Sequence, residues 1–296
     1  MSLESSPRVT IGMPVRNGAS YIRDSLDAVM RQSFGDFLVI VSDNASSDET
    51  PTIVSEYVSH DARVQLQQRA RDVGVIENFN GLLDQASSEY FVWLAHDDIW
   101  EPCYLERLVT LLDKDQTAVL AFAGFDNIAS DGSVVRAFPE IHTLAGNATR
   151  WRRILRTLSF PEPKGKANLV YGLARTETLR QAGGLHLHGP RGWGVDYHLV
   201  FRMAWFGHFT STTETLFHKR LTDDRLRSSS ADTAAYVRAY PQMVRELGGS
   251  RLLALAASIA ARRFERSVVR EAHGGSRLAV AKATARSRLR RLRARV

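Results

Sequence analysis

Short apolar runs alternate with amphipathic segments along the first 125 residues of the chain. Apolar runs with the length that favours strands lie at residues 8–13, 37–41, 90–95 and 118–123, and residues 64–68 give a weaker strand signal. The run at 37–41 is apolar at every position, which is typical of a parallel strand buried on both faces. Apolar residues recur at helical spacing over 20–32, 48–58, 75–86 and 102–114. This alternation predicts an α/β fold with a mostly parallel sheet and helices on both faces.

Several elements have specific boundary signals. Pro14 is expected to end the first strand, and Asp48 is expected to cap the second helix, with Pro51 in its first turn. The sequence Ser-Asp-Gly-Ser at 130–133 predicts a hairpin turn. Further helices are predicted over 149–158 and over 196–206, the latter ended by Gly207. We divide the chain into two halves of one domain, 1–125 and 126–230, and a helical basic C-terminal extension, 231–296.

Positive charge is concentrated at the C-terminal end of the chain. Residues 251–296 contain 13 Arg and Lys against 2 Glu, which leaves 26 basic and 30 acidic residues in 1–250. The net charge of +7 therefore comes from the C-terminal end and does not indicate a basic nucleic-acid-binding protein. No nucleic-acid partner is expected. The single cysteine, Cys103, excludes an internal disulfide and a multi-cysteine metal site. No apolar run reaches about 18 residues and the first residues lack a signal-peptide pattern, so a cytoplasmic protein is expected.

The last 23 residues, 274–296, form a basic amphipathic pattern. One stripe at helical spacing is apolar and arginines flank it; its members are Leu278, Ala281, Ala285, Leu289, Leu292 and Val296. Such a helix binds anionic membrane surfaces, which would place the protein peripherally at the inner face of the plasma membrane. A solvated helix, a helix that packs in an oligomer and a disordered basic end are the alternatives.

Polar clusters follow the first four predicted strands, at residues 14–17, 42–48, 71–74 and 96–98. The carboxyl ends of parallel strands meet at one edge of a sheet, so one ligand is expected to touch all four clusters. Asp97 and Asp98 are adjacent carboxylates that repel each other, and a site that holds both ionised usually supplies a cation. Oxygen ligands favour Mg²⁺ or Mn²⁺, which complete their shells with water and phosphate oxygens. The alternative is a carboxylate pair that caps the helix near Pro102.

Four segments in order resemble signatures of the family 2 glycosyltransferases, which have the GT-A fold. They are VTIGMPVRNGASYI, IVSDNASSDET, RDVGVIENFN and WLAHDDIW. The resemblance covers roughly residues 8–220 and is dense through the first 125. It implies an inverting, metal-dependent enzyme of the hexosyltransferase type, with a nucleotide-sugar-binding half at 1–125 and an acceptor-binding half at 126–230.

The resemblance also implies roles for individual residues. The nucleotide-sugar site would comprise Pro14, Val15, Arg16, Asn17, Asp43, Asn44, Arg71, Gly74, Asn78, His96 and Asp97. Asp98 is the favoured ligand of Mn²⁺ or Mg²⁺, with Asp97 and His218 as further metal ligands. Asp196 would be the catalytic base, and Trp193 and Gly194 would contact the acceptor. Lys219 or Arg220 could neutralise the diphosphate.

The sequence departs from the family pattern at three acidic positions, where Ser42, Ala95 and Val195 stand. These losses leave the register of the metal motif open by one residue. They also keep open a degenerate protein that binds nucleotide sugar without transferring it.

Motifs for a dinucleotide-binding turn, a P-loop and a hydrolase elbow are missing from the sequence. A sugar nucleotidyltransferase is the nearest enzyme alternative, and a membrane- or nucleic-acid-binding module driven by the arginine-rich end is the non-enzyme alternative. The expected partners are a UDP-, GDP- or dTDP-linked sugar and a glycan or lipid-linked acceptor, in synthesis of bacterial cell-envelope or surface polysaccharide.

Overall fold

The computed structural model describes residues 6–160, 164–187, 194–221 and 230–272. The strands within these ranges are β1 (Val9–Val15), β2 (Phe37–Asp43), β3 (Val64–Gln68), β4 (Tyr90–Trp93), β5 (Ile99–Trp100), β6 (Ala118–Ile128), β7 (Val134–Ala137), β8 (Leu173–Arg175) and β9 (His208–Arg220). The α-helices are α1 (Ile22–Met30), α2 (Thr50–His60), α3 (Val75–Gln85), α4 (Tyr104–Lys114), α5 (Arg150–Ser159), α6 (Thr176–Gln181), α7 (Val195–Phe206), α8 (Ser230–Glu246) and α9 (Arg251–Ala272). The described ranges also contain 3₁₀ helices at Pro139–Leu144 and Lys166–Tyr171.

The strands form one sheet in the order β3-β2-β1-β4-β8-β6-β9-β5, with β7 paired to the outer part of β6. β1 to β4 are parallel to one another, and β6 is parallel to β9. The short strand β8 is antiparallel to both β4 and β6, so β4 and β6 run in the same direction. The carboxyl ends of β1, β2, β3, β4, β6 and β9 therefore lie at one edge of the sheet. The predicted α/β architecture is confirmed.

The first strand is longer than the sequence predicts, because it continues through Pro14 to Val15. Proline lacks an N–H and is normally excluded from central strands. Here the pairing of β4 with β1 ends at Gly12 and Trp93. No residue of β4 is therefore paired with Pro14, and the proline costs the sheet no hydrogen bond on that side. On its other side, Pro14 lies opposite Ser42 of β2.

Other boundaries follow the predictions with local differences. The second helix begins at Thr50, with Glu49 and not the predicted Asp48 in the capping position. Asp48 lies one residue earlier and accepts hydrogen bonds from the amide and hydroxyl of Thr50. β6 continues five residues beyond the predicted run and reaches β7 through the predicted turn, where Gly132 has a positive φ of 84°. The continuation matters for the site because it brings Asp126 and Asn127 to the sheet edge beside β9.

A second apolar cluster lies outside the sheet and joins α5, α7, α8 and α9. Tyr240 and Met243 of α8, Phe201 of α7 and Ala257 of α9 are all buried in it. This cluster attaches the predicted helical C-terminal extension to the domain. In the described part of the chain, no helix combines the length and the hydropathy needed to cross a membrane.

Candidate functional site

The loops after β1 and β2 are held together at the sheet edge. The amide of Asn44 donates to the carbonyl oxygen of Val15 at 2.8 Å, and the side chain of Asn17 accepts the amide of Ser47 at 2.8 Å. Asn17 and Ala45 have positive φ angles of 53° and 57°. This conformation costs a residue with a Cβ about 1–2 kcal/mol, so Ala45 adopts it only because the surrounding contacts fix the loop.

Asp72 connects three of the four predicted clusters. Its carboxylate accepts hydrogen bonds from the Asn44 side chain at 2.6 Å and from the Gly74 amide at 2.8 Å, and it pairs with Arg16. The Gly74 amide chiefly, followed by Asn44 and Arg16, lowers the pKa of this carboxyl. Asn44 in turn accepts the amide of Val73 at 2.9 Å. The sequence motifs predict no role for Asp72. Its position between Arg71 and Gly74, two predicted site residues, could have indicated one.

Asp43 and Asn78 line the same edge but differ in their contacts. Asp43 is 2% exposed, and one of its oxygens accepts the amide of Ser46 at 3.2 Å. Its other oxygen accepts no hydrogen bond from any described residue. Asn78 instead forms two hydrogen bonds with Ser42, from its side-chain amide to the Ser42 carbonyl and from the Ser42 hydroxyl to its own oxygen. Arg71 is exposed to solvent.

The Asp97–Asp98 turn follows β4, and its two carboxylates differ sharply in environment. Asp98 is fully buried, and its carboxylate accepts the backbone N–H of Arg220 at 2.9 Å. Burial raises the pKa of Asp98 to about 7, although the charge of Lys219 acts in the opposite direction. Asp97 is partly exposed, and its carboxylate receives no hydrogen bond among the described residues. Asp97 therefore has the carboxylate that a ligand can reach.

Lys219 brings a positive charge to this turn from β9. Its Nζ lies 3.5 Å from a carboxylate oxygen of Asp98 and 4.4 Å from the centre of the Tyr171 ring. Burial alone would lower the pKa of Lys219, but the charges of Asp98 and Asp97 and the Tyr171 oxygen raise it above its ordinary value. Lys219 therefore stays protonated, and it offsets the charge of the buried carboxylate.

Arg220 fixes the Asp97–Asp98 turn against the rest of the edge. Its guanidinium donates to the carbonyl oxygen of Asp97 at 3.0 Å and to that of Ser130, in the β6–β7 turn, at 2.7 Å. The guanidinium also lies 3.4 Å from Asp24 of α1 and stacks over the Tyr21 ring at 4.7 Å. One arginine thus joins the turn to α1 and to the β6–β7 hairpin.

The two candidate histidines of the site are already engaged. A Cβ added at Gly18 would lie 2.5 Å from a ring carbon of His96, so the His96 ring packs directly on the loop after β1. Burial lowers the pKa of His96, which favours the neutral imidazole. Nδ1 of His218 lies 2.7 Å from Asp126, and its Nε2 lies 3.1 Å from Glu101. Both ring nitrogens of His218 therefore face carboxylates, and a metal ion would have to displace one of them.

Asp196 lies in the first turn of α7, after Gly194, whose φ of 83° is in the left-handed region. Asp196 is partly exposed. Burial raises the pKa of Tyr171 and the charge of Lys219 lowers it, while the charges of Asp98, Asp97 and Asp196 add to the increase. The fold thus brings Asp196 within electrostatic reach of the same tyrosine as the Asp97–Asp98 turn. Trp193, the other predicted acceptor residue, lies outside the described residues.

The acidic side chains at this edge suit a divalent cation that takes most of its ligands from elsewhere. Within the described ranges, no three His, Cys, Asp or Glu side chains come together as a metal site. Mg²⁺ and Mn²⁺ are commonly held by one or two carboxylates together with water and substrate phosphates. The free carboxylate of Asp97, beside the buried Asp98, fits that description.

The family model of glycosyl transferase family 2 matches residues 10–169, which is more than half of the chain. The chain belongs to glycosyltransferase family 2. This family 2 chain is 32% identical to an uncharacterised glycosyltransferase of Rickettsia typhi over 124 residues, 42% of this chain and 38% of the relative. It is 27% identical to the putative teichuronic acid biosynthesis glycosyltransferase TuaG of Bacillus subtilis over 132 residues, 45% of this chain and 52% of the relative. The alignments thus span about two fifths to half of the length of these relatives.

Two solved structures resemble the family 2 chain over most of its length. Residues 1–349 of S. aureus TarS match with a TM-score of 0.67 and 17% identity, over 89% of this chain and 73% of that one. The mannosyltransferase PcManGT from Pyrobaculum calidifontis, solved with GDP-Man and Mn²⁺, matches with a TM-score of 0.54 and 18% identity, over 97% and 81%. These similarities show the expected GT-A fold.

Proposed function

We propose that the chain is a metal-assisted, inverting glycosyltransferase that moves a sugar from a nucleoside diphosphate sugar to a hydroxyl group of an acceptor. The observation that supports the proposal is the open carboxylate of Asp97 beside the ammonium of Lys219 at the sheet edge, with the charge of Asp196 acting on Tyr171 as theirs does. A diphosphate leaving group needs positive charge, and an attacking hydroxyl needs a base. Lys219 and a bound cation would supply the first, and Asp196 the second. TarS has been solved with UDP-GlcNAc and PcManGT with GDP-Man, which supports a nucleotide-sugar donor here.

The nucleotide would bind across the loops after β1, β2 and β3. The oxygen of Asp43 that lacks a protein donor is suited to accept an N–H of the base. Pro14, Val15 and Arg16 would border the base and ribose, and the exposed guanidinium of Arg71 would approach the base or the phosphates. Asn17, Asn44, Gly74 and Asn78 would act mainly by fixing the loops, because their side chains or amides already bond within them.

The divalent cation, Mn²⁺ or Mg²⁺, would be held by Asp97, with its other ligands from water and the donor diphosphate. The sequence favours Asp98 for this role, but the Asp98 carboxylate is fully buried and bonded to the Arg220 amide. We therefore assign direct coordination to Asp97 and the orientation of the turn to Asp98. When bound, the cation stabilises the negative charge that develops on the departing diphosphate. His218 would take part only if Asp126 or Glu101 released it.

Asp196 would act as the general base. Its carboxylate would take the proton of the acceptor hydroxyl as the hydroxyl oxygen attacks the anomeric carbon and the bond to the diphosphate breaks. Lys219 would remain protonated beside the leaving group. Gly194 would let the acceptor approach the backbone at the start of α7, and Trp193 would offer a face for sugar stacking.

The acceptor would be a glycan or a lipid-linked glycan of the bacterial cell envelope, assembled at the cytoplasmic face of the membrane. The name of TuaG, which refers to teichuronic acid biosynthesis, supports this class. The basic pattern at 274–296, which lies outside the described residues, would add attraction to anionic lipids.

Product analysis tests this function against its two enzyme-like alternatives. The full chain is incubated with a nucleotide sugar, Mn²⁺ and a lipid-linked or oligosaccharide acceptor pool, and phosphorus-containing products are separated. We expect a nucleoside diphosphate together with a glycosylated acceptor. In a parallel incubation, a sugar phosphate and a nucleoside triphosphate replace the nucleotide sugar, and release of pyrophosphate there would instead indicate a nucleotidyltransferase. Donor binding with no turnover on any acceptor would indicate a degenerate protein.

A further inference from the structure

One face of α9 is apolar although it points away from the protein core. Leu252, Leu255 and Ile259 are 76%, 58% and 48% exposed. Their spacing of three and four residues puts them on one stripe of the helix. The opposite face of the same turns is buried, through residues such as Leu253 and Ala257. The stripe is therefore a second apolar face, additional to the one that packs on the core.

The neighbouring helix α5 repeats this arrangement. It shares the apolar cluster of α9 through Ile154 and Leu158. Trp151 and Leu155 are nevertheless 47% and 43% exposed. Five large apolar side chains are thus exposed on two helices that pack beside each other. Large apolar side chains exposed on adjacent helices are characteristic of sites of protein or membrane interaction.

Arginines border both sets of apolar residues. Arg150 and Arg152 are exposed on α5, and Arg251 and Arg262 are exposed on α9. Neither 150–159 nor 251–264 contains an aspartate or a glutamate. The two acidic residues of α9, Glu265 and Glu271, come later in the helix. Exposed apolar side chains with a tryptophan among them and arginines beside them are the combination that inserts into the headgroup region of an anionic bilayer.

We propose that the exposed faces of α5 and α9 together form a docking surface for an anionic lipid bilayer. The surface is defined by Trp151, Leu155, Leu252, Leu255 and Ile259 and by their neighbouring arginines. Two other occupants would meet electrostatic repulsion. A second copy of the chain would bring the same arginines, and residues 273–296 carry eight Arg and Lys and no acidic residue. Negative lipid headgroups instead complement the charge.

The docking surface goes beyond the proposed glycosyltransfer and beyond the basic pattern at 274–296, because it is made by residues of α5 and α9. It would hold the chain at the surface on which a lipid-linked acceptor is located. Vesicle binding requires neither nucleotide sugar nor acceptor. A chain that does not bind vesicles can therefore be distinguished from a chain that does not transfer sugar.

Vesicle flotation of the full chain tests the docking surface. We expect the wild-type chain to bind phosphatidylcholine vesicles that contain phosphatidylglycerol, and to bind vesicles of phosphatidylcholine alone much more weakly. The variant Leu252→Ser/Leu255→Ser removes apolar side chains without changing charge, and it is expected to lower the partition coefficient by at least roughly tenfold. The matched control is Val134→Ser/Val135→Ser on β7, where two valines are 63% and 57% exposed, and it is expected to bind like the wild type.

Three results would overturn the proposal. Wild-type binding by the Leu252→Ser/Leu255→Ser variant would mean that 274–296 alone carries the chain to the vesicle. Equal loss in the β7 control would mean that the effect is not specific to this surface. A wild-type dimer that the leucine variant converts to a monomer, in light scattering and without vesicle binding, would assign the surface to a second copy. Circular dichroism and thermal melting confirm that each variant is folded.

Discussion

The backbone N–H of Arg220, the last residue of β9, donates a hydrogen bond of 2.9 Å to the buried carboxylate of Asp98, 122 residues earlier in the chain. The same arginine donates through its guanidinium to the carbonyl oxygen of Asp97. The end of a distant strand thus orients the two aspartates. The sequence around them is not sufficient to fix their positions. The conformation of the acidic turn therefore depends on the folding of the second half of the domain.

Replacement of Arg220 by alanine is expected to lower the free energy of unfolding by roughly 2–4 kcal/mol. The guanidinium is almost fully buried, and its loss leaves the carbonyl oxygens of Asp97 and Ser130 without donors. Urea denaturation measures the change. The control is Arg23→Ala, which removes an exposed, solvent-screened ion pair with Glu56 and should change the free energy of unfolding far less. Equal effects of the two substitutions would contradict the role of Arg220.

The different environments of Asp97 and Asp98 predict different effects of removing each charge. Asp97→Asn is expected to abolish the part of the nucleotide-sugar thermal shift that depends on Mn²⁺, because it removes the accessible carboxylate. Asp98→Asn retains an oxygen that can accept the Arg220 amide, so part of the Mn²⁺ effect should remain. Thermal melting with and without Mn²⁺ compares the two variants. The assignment is reversed if Asp98→Asn abolishes the Mn²⁺ effect and Asp97→Asn preserves it.

Asp196→Asn separates catalysis from donor binding. Loss of a general base lowers the rate by roughly 10²–10⁴-fold, while the nucleotide loops lie on other elements and remain intact. We expect transfer to fall by at least roughly 10²-fold and the thermal shift by nucleotide sugar to remain as in the wild type. Transfer at the wild-type rate would exclude Asp196 as the base.

Acid stability depends on Asp115, which precedes β6 and therefore lies at the opposite edge of the sheet from the Asp97–Asp98 turn. Its carboxylate accepts hydrogen bonds from the hydroxyl and amide of Thr117 and lies 2.7 Å from Nε2 of His208. The Thr117 hydroxyl first, and His208 next, lower the pKa of Asp115 to about 2 from the ordinary 3.8. A carboxyl whose pKa is lower in the folded state stabilises the fold above the unfolded pKa, and this contribution is lost as pH falls from about 4 to about 2.

Asp115→Asn should therefore lose less stability than the wild type over that pH interval. Denaturant midpoints at a series of pH values measure the difference. Asp84→Asn changes an exposed carboxylate on α3 and should follow the wild-type curve. Parallel curves for Asp115→Asn and the wild type would show that these hydrogen bonds do not couple Asp115 to folding.

The sequence predicts the parallel half of the sheet because each strand there has its own local signal. The run at 64–68, for example, coincides with β3. β8 and β5 have three and two residues, too few for a hydrophobic period, so their antiparallel pairing could be found only from the tertiary structure. The extension of β6 to Ile128 was also missed, since Gly124, Asp126 and Asn127 interrupt the apolar run and the extension is stabilised by pairing with β9.

In the candidate site, too, some features follow from the local sequence and others depend on residues far away in the chain. The acidic turn and the loops after β1 to β3 could be predicted, because strand ends converge at one edge whatever the details of packing. The difference between Asp97 and Asp98 could not, because the burial of Asp98 comes from Lys219 and Arg220, more than 120 residues away. The bonds of His218 to Asp126 and Glu101 likewise depend on strand register.

The most direct test of the central claim is nucleotide-sugar binding at the sheet edge. Thermal melting of the full chain with UDP-, GDP- and dTDP-linked sugars, each with and without Mn²⁺, measures it. Ligand at about 100 times its Kd stabilises a protein by roughly 2.7 kcal/mol, which corresponds to a shift of several degrees. We predict such a shift with one nucleotide, larger with Mn²⁺ and reduced in Asp43→Asn. No stabilisation by any of the three nucleotide sugars would contradict the account.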